Sequence, residues 1–531
     1  MRENHVYPSE FMWSTHNLQP SSLGIEQLSE HRRRRSSPHH SPEATEIPPF
    51  ITRTAPTYDI LSEEQVVAIE EAAEDILEKV GVEVRHAPSL SLLKQAGCRV
   101  EGERVRFDRG FCRKIVIENA PSEFVQHARN PAKSVRIGGN SMVLVPIYGP
   151  PFVAATDIQR RYGTLEDFNN FVRLAHMAPV LHHTGGPICE PTDIPVPKRH
   201  LDMNYGHLAL SDKCFMGAVT SKERAEDTLR MCEIVFGKEF VDNNCVLSAI
   251  INLNSPLVLD ETMLDAAHVY AAAGQACVVT PFMIAGASSP TTIAGLSAQS
   301  LAETLAGMAI LQLVRRGAPV MYGFMMMGMS MRSGGPIRYD ETWKSLLIAG
   351  QLARRLGIPF RCGGSSTNSK VLDAQAGWEG SLYMMFSMLA GVNFMIHATG
   401  TLEQGLVGNF DKFIIDCDML GAASRMMSGV DTSPAALAVS AIAEVGPAGN
   451  FLTSSHTMDR YRTAFYSPTN ANGDSFEQWA AAGSLDAAQR ATQRRLELLA
   501  EYQQPGLDPA IDEALIDFMN RRRAVLPDSF A

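Results

Sequence analysis

Glycine ends one helical pattern after another in this chain, at Gly274, Gly317, Gly357 and Gly391, and each time a short, continuously apolar run follows. A helix closed by a left-handed glycine and followed by a strand apolar on both faces is the signature of a parallel sheet covered by helices. Strand patterns are expected at 180–183, 214–219, 246–253, 276–284, 318–324, 358–361 and 392–397, with 142–148 as an eighth. Helices are expected at 222–236, 261–273, 291–315, 342–356 and 371–390. The period of roughly 30 to 40 residues matches one eighth of a barrel. The fold class is therefore expected to be α/β, a (β/α)8 TIM barrel over 141–430, with an N-terminal α+β extension over 58–140 and C-terminal helices over 431–531. A doubly wound open sheet would alternate in the same way, but no GxGxxG follows a strand at a helix start.

The remaining segment, 1–57, has no helical or strand period and reads as a disordered or surface-draped tail, with order beginning at Leu61. Ser62 with Gln65 and Thr164 with Asp167 mark two helix starts. A net charge of −11 argues against nucleic acid as a partner, and the basic run 32–35 sits in a polar head as a solvated tail. The most apolar run, 382–396, is too short to cross a membrane, and the first thirty residues carry no secretory h-region. Nine cysteines without a CxxC read as reduced thiols and suggest the cytoplasm.

In a barrel the residues after each strand share one mouth. Here that set lacks a GxSxG elbow, an HExxH and a paired-carboxylate motif. It offers glycines, small polar groups, histidines and the methionine-rich stretch 324–332. Methionines there suit either a broad apolar surface or an irregular core. Arg332 suits either a grip on a carboxylate or an ordinary loop ion pair. No histidine lies at metal-binding helical spacing from another, so no metal is expected. Glu303 and Gln299 lie one helical turn apart, more simply an ordinary helix pair than a site. Lys370 after a strand leaves a lyase or aldolase open as an alternative.

The ordered motifs YGP at 148–150, RRYGTLEDF at 160–168, NSPL at 254–257, GAPVMYG at 317–323, SKVLDAQAGWE at 369–379, GPAGNFLTSSHT at 446–457 and LDPAIDEALIDF at 507–518 resemble the trimethylamine methyltransferase family. The resemblance implies a barrel that moves a methyl group from an amine to the Co(I) corrinoid of a separate protein. No pyrrolysine stands in the loop 362–368, so the chain looks like the branch acting on quaternary amines such as glycine betaine. Trimethylamine or another methylamine as donor, and a non-catalytic barrel that binds betaine or the corrinoid protein, are the alternatives. No DxHxxG is present, so the cobalamin is expected on the partner and none is expected to be bound permanently. A quaternary ammonium carries its own leaving group, so no catalytic acid or nucleophile is required. Tyr148, Tyr205, Tyr322, Glu303 and Glu403 are the expected cation contacts, and Arg332, His207 or His397 would pair with a substrate carboxylate. Met327, Met331, Gly363, Gly364 and Asn368 are expected to face the corrinoid. A homo-oligomer is also expected.

Overall fold

The computed structural model describes residues 49–337 and 341–529. The expected tail thus lies outside the described residues as far as position 48. Order sets in before Leu61, because Ile51–Thr52 pairs antiparallel with Ser141 and Met142.

The fold is mixed α/β, built on parallel strands β1 (Ser141–Leu144), β2 (Phe215–Met216), β3 (Leu247–Leu253), β4 (Ala276–Ala285), β5 (Val320–Gly323), β6 (Phe360–Gly363) and β7 (Phe394–Ile396). They hydrogen-bond in the order β2-β3-β4-β5-β6-β7-β1, every pair parallel. The expected strand at 180–183 is reduced to bonds of the segment 182–185. His182 N donates to Leu144 O on β1 (3.1 Å), and Thr184 N donates to Cys214 O beside β2 (2.9 Å). Met216 N donates back to Gly185 O (2.7 Å).

The helices are α1 (Leu165–Met177), α2 (Arg199–Leu210), α3 (Lys222–Phe236), α4 (Glu261–Ala272), α5 (Ile293–Val314), α6 (Thr342–Leu356), α7 (Ala374–Leu389) and α8 (Phe410–Met427). Thr164 forms the expected capping box at the start of α1, and Gly357 ends α6 in the left-handed conformation (φ 67°). α5 is buried all round, and every residue from Leu296 to Gln312 is inside, polar ones included. The reason is tertiary: the helix lies between β4 on one side and the helices Glu63–Asp75 and Phe111–Asn119 of the N-terminal segment on the other. Ser62 caps the first of these with the expected reciprocal box.

At the amino ends of the strands an antiparallel hairpin, Glu123–Gln126 with Val135–Gly138, continues the sheet beyond β1. Val135 and Ile137 join Val143, Met216, Ile250, Val278, Met321 and Phe394 in one apolar cluster. Gln126 anchors the hairpin by donating through Nε2 to Phe215 O at 2.8 Å. A smaller sheet at the opposite ends joins Phe152–Ala155 and Ile158–Tyr162 to the hairpin Thr401–Leu402 and Val407–Asn409. C-terminal helices complete the body: Ala487–Glu501 packs on α8 and Pro509–Val525 on α3.

Candidate active site

A cavity of about 390 Å³ opens at the carboxyl ends of the strands. The strands and the segments that follow them contribute to it: Tyr148 after β1, Gly186, Pro187 and Glu190 after 182–185, Met216 at the end of β2 and Gly217 to Thr220 beyond it, Asn252 on β3, Phe282 on β4, Met325 after β5, Arg361 on β6 and His397 after β7. α2 supplies Arg199, His200, Met203, Asn204 and His207 from one side, and the hairpin tip Gln404–Gly405 closes in from above. Three guanidinium groups (Arg199, Arg224, Arg361) and one carboxylate (Glu190) line the chamber.

Arg361 is the deepest of the charged groups. It sits in register with Gly323 of β5 and Phe394 of β7 and is almost fully buried. Its Nη1 lies 3.4 Å from Phe324 O. Glu190 is held by Arg199 at 2.5 Å. Burial raises the Glu190 carboxyl above its ordinary range, and Arg199 and Arg224 act against that rise. The Arg224 guanidinium donates to Thr220 Oγ1 and is lowered by burial and by the neighbouring Arg199. Tyr148 lines the same chamber as Glu190 and Arg361. Burial pushes its phenol up, so it remains a neutral hydroxyl. Its ring meets the His397 ring edge-on, centroids 6.5 Å apart. His397 itself has φ 58°, a left-handed backbone that turns the chain into the mouth directly after β7.

Burial lowers His207 to about 4, partly offset by the bond its Nε2 donates to Gly186 O at 2.7 Å. His200 bonds Asp227 through Nε2 at 2.9 Å, and its Nδ1 is a buried atom without a hydrogen-bond partner. Among the described residues no group of three or more His, Cys, Asp or Glu is arranged to hold a metal.

The hairpin tip is fixed from behind. Gln404 Nε2 donates to Asn368 Oδ1 and to Pro336 O, and Gln404 N donates to Thr367 O at 2.8 Å. Glu379 of α7 ties that loop down, accepting from Thr367 Oγ1 and Asn368 N, both at 2.6 Å. Beneath it Lys412, fully buried, bridges Asp416 (2.7 Å) and Ser365 (2.7 Å).

Of the expected substrate contacts, Tyr148, His207 and His397 line the chamber. The other five do not. Tyr205 points away and donates to Asp512 at 2.8 Å. Glu303 is buried under the loop after β3, accepting from Ser255 Oγ (2.7 Å), Leu257 N (2.8 Å) and Gln299 Nε2 (2.8 Å). Tyr322 is fully buried against Phe360. Glu403 pairs with Arg160 at 3.2 Å. Arg332 lies in an exposed turn between Met325–Met329 and Pro336–Ile337.

The residues expected to face the corrinoid divide likewise. Met331 is 93% exposed, whereas Met327 is buried. Gly363 and Gly364 face inward, where an added Cβ would lie 2.6 Å from the Tyr383 ring and 2.7 Å from Ala398 Cα. Asn368 is buried in the bracing network just described. Glu190, Arg199, Arg224 and Arg361 were not among the sequence candidates. An arginine ending the apolar pattern 358–361 was the available signal for Arg361, and His200, Asn204 and His207 at helical spacing were the signal for α2.

Residues 28–527 match the family model described as trimethylamine methyltransferase. A glycine betaine methyltransferase from Desulfitobacterium hafniense is 40% identical over 469 residues, covering 88% of this chain and 98% of that protein. A trimethylamine methyltransferase from the same species is 27% identical, covering 83% of this chain and 89% of that protein. A proline betaine:corrinoid methyltransferase from Eubacterium limosum is 26% identical, covering 76% and 84%. Among solved structures, the monomethylamine methyltransferase of Methanosarcina barkeri aligns with a TM-score of 0.48 at 12% identity, covering 85% of this chain and 90% of that one.

Proposed function

The chain belongs to the trimethylamine methyltransferase family, and from that premise we propose that it moves a methyl group from a betaine-type quaternary ammonium to the Co(I) corrinoid of a separate protein. The observation that carries the betaine reading over trimethylamine is the charge of the chamber, three guanidinium groups to one carboxylate. A small ammonium ion alone is repelled by such a wall, whereas a betaine brings the carboxylate that the wall is built to hold. Arg361, deepest in the chamber, is the proposed partner of that carboxylate, and the neutral Tyr148 hydroxyl beside it is a second donor. The ammonium then points outward, among Met216, Ile250 and Met325 and toward the mouth.

The same wall assists the chemistry. Methyl transfer turns the ammonium into a neutral amine, so surrounding positive charge disfavours the reactant more than the transition state. A tight cage of aromatic faces would do the opposite, holding the cation best before reaction. Only Tyr148 and Phe282 offer such rings among the lining residues, apart from the histidines. No side chain needs to donate a proton, which fits the neutral state of Tyr148 and His207.

The acceptor supplies the nucleophile, Co(I), and takes the methyl group. A corrin face requires an apolar rim, and the far part of β4 and the loops beyond the strands present exposed Phe282, Met331, Val371 and Leu406. The braced Gln404 tip sits among them and fixes how deep an approaching group can reach. We read the parallel sheet as a closed (β/α)8 barrel, a reading supported by the hydrogen bonds that 182–185 makes to β1 and toward β2. No helix among the described residues is long and apolar enough to cross a membrane, and all nine cysteines are unpaired, which suits a reducing cytoplasm.

The test mixes purified protein, a Co(I) corrinoid protein and a panel of betaines, choline and methylamines while the cobalt spectrum is followed. Conversion with glycine betaine supports the proposal. Conversion with trimethylamine alone overturns the donor assignment, and betaine binding without conversion makes the chain a binder.

A further inference from the structure

The hairpin tip over the chamber carries two successive non-glycine residues in the left-handed region, Glu403 (φ 46°) and Gln404 (φ 60°). Side chains with a Cβ adopt that conformation at a cost, so the surrounding contacts must hold it. From below, Glu403 N donates to Ser369 O at 3.0 Å and Gln404 N to Thr367 O at 2.8 Å. From outside, Arg160 pairs with the Glu403 carboxylate at 3.2 Å, and the same guanidinium lies 3.6 Å over the Phe152 ring. What this bracing fixes is the Gln404 side chain.

The direction of its amide is set by a chain of hydrogen bonds that starts at Glu379. That carboxylate accepts from Asn368 Nδ2 (3.3 Å), which turns Asn368 Oδ1 toward Gln404. Gln404 therefore presents Nε2 to Asn368 Oδ1, and Pro336 O, a backbone carbonyl that can only accept, requires the same orientation. Both amide hydrogens are used there. Oε1 is left on the other side of the amide, a buried atom without a hydrogen-bond partner, on a residue that lines the chamber. A buried carbonyl oxygen held in this state calls for a ligand to meet it.

The chamber decides which ligand. Its carboxylate, Glu190, is already paired with Arg199. With the donor carboxylate on Arg361, the ammonium points outward, to the side that the tip closes. A quaternary ammonium has no N–H, but its charge is spread over the methyl groups, whose polarised C–H bonds approach carbonyl oxygens. We propose that Gln404 Oε1 is the contact for the methylated ammonium head, touching methyl groups that stay on the amine so that the one transferred faces the mouth. The inference rests on the betaine reading and adds to it the group that orients the cation. An amide suits this task because a full countercharge would hold the cation more strongly before transfer than during it.

Calorimetric titration of the full-length protein tests it with two ligands, glycine betaine and tert-butylacetate, which has the same shape and carboxylate but carbon in place of nitrogen. Gln404→Met keeps the length of the side chain and removes the carbonyl. The ratio of betaine affinity to tert-butylacetate affinity should fall about fivefold from wild type to variant. An unchanged ratio overturns the inference and leaves the betaine reading standing, since a tip that merely supports the chamber weakens both ligands alike. A wild type that binds neither ligand overturns the betaine reading and this inference with it. Should the variant fail to fold, a crystal structure of the wild type with glycine betaine decides. A methyl carbon about 3.3–3.6 Å from Gln404 Oε1 is expected, and a water or a protein donor on that oxygen overturns the assignment.

Discussion

Replacing Arg361 by methionine is the sharpest test of how the donor is held. The substitution keeps an apolar stem of similar reach and removes the guanidinium from the deepest wall of the chamber. Its Nη1 contact with Phe324 O is long, at 3.4 Å. A hydrogen-bonded carboxylate partner in an enclosed site contributes about 2–3 kcal/mol, which is about 30- to 150-fold in kcat/KM. That loss should fall on glycine betaine alone. Tetramethylammonium, which has no carboxylate, should change by less than about threefold. Arg361→Lys keeps the charge without the fork and should lie between the two. The assay is initial-rate cobalt methylation with both donors, with a melting curve for each variant. Equal losses with both donors would refute the assignment by making Arg361 a structural residue, and an unchanged betaine rate would refute it outright.

Other outcomes follow from the same structure. Arg332→Ala should leave methyl transfer at wild-type rates, since the side chain lies in an exposed turn; a loss beyond about fivefold would return it to the site. Lys412→Met strands the buried Asp416 carboxylate and should cost about 3–5 kcal/mol in denaturant titration, with a loss under about 1 kcal/mol arguing that water reaches the pair. Stability should also fall in mild acid. Burial lowers His182 to about 3 and His207 and His268 to about 4, so each is neutral when folded, while the unfolded chain takes up protons below about 6.5. The stability is therefore complete above pH of about 6.5 and drains away as pH falls toward 4, by roughly 3 kcal/mol for a shift of this size. His207→Gln should flatten part of that decline, and a denaturation midpoint constant from pH 7 to 5 would contradict the assignment.

The sequence by itself determined the alternation of strand and helix, because glycine stops and strands apolar on both faces are local properties that every register of the fold shares. Lys222–Phe236 and Thr342–Leu356 begin and end where their patterns do. It determined the family as well, through ordered motifs spread along the chain. Which side chains meet was not local information. Tyr322 and Glu303 follow the expected pattern yet point into packed core and under a loop, since one step along a strand or a helix turns a residue from chamber to interior. α2 escaped notice because eight of its twelve residues are buried and no amphipathic stripe is left to read. The charge of the chamber was likewise invisible, because Arg199, Arg224, Arg361 and Glu190 come from four separate segments that only the tertiary fold brings around one space.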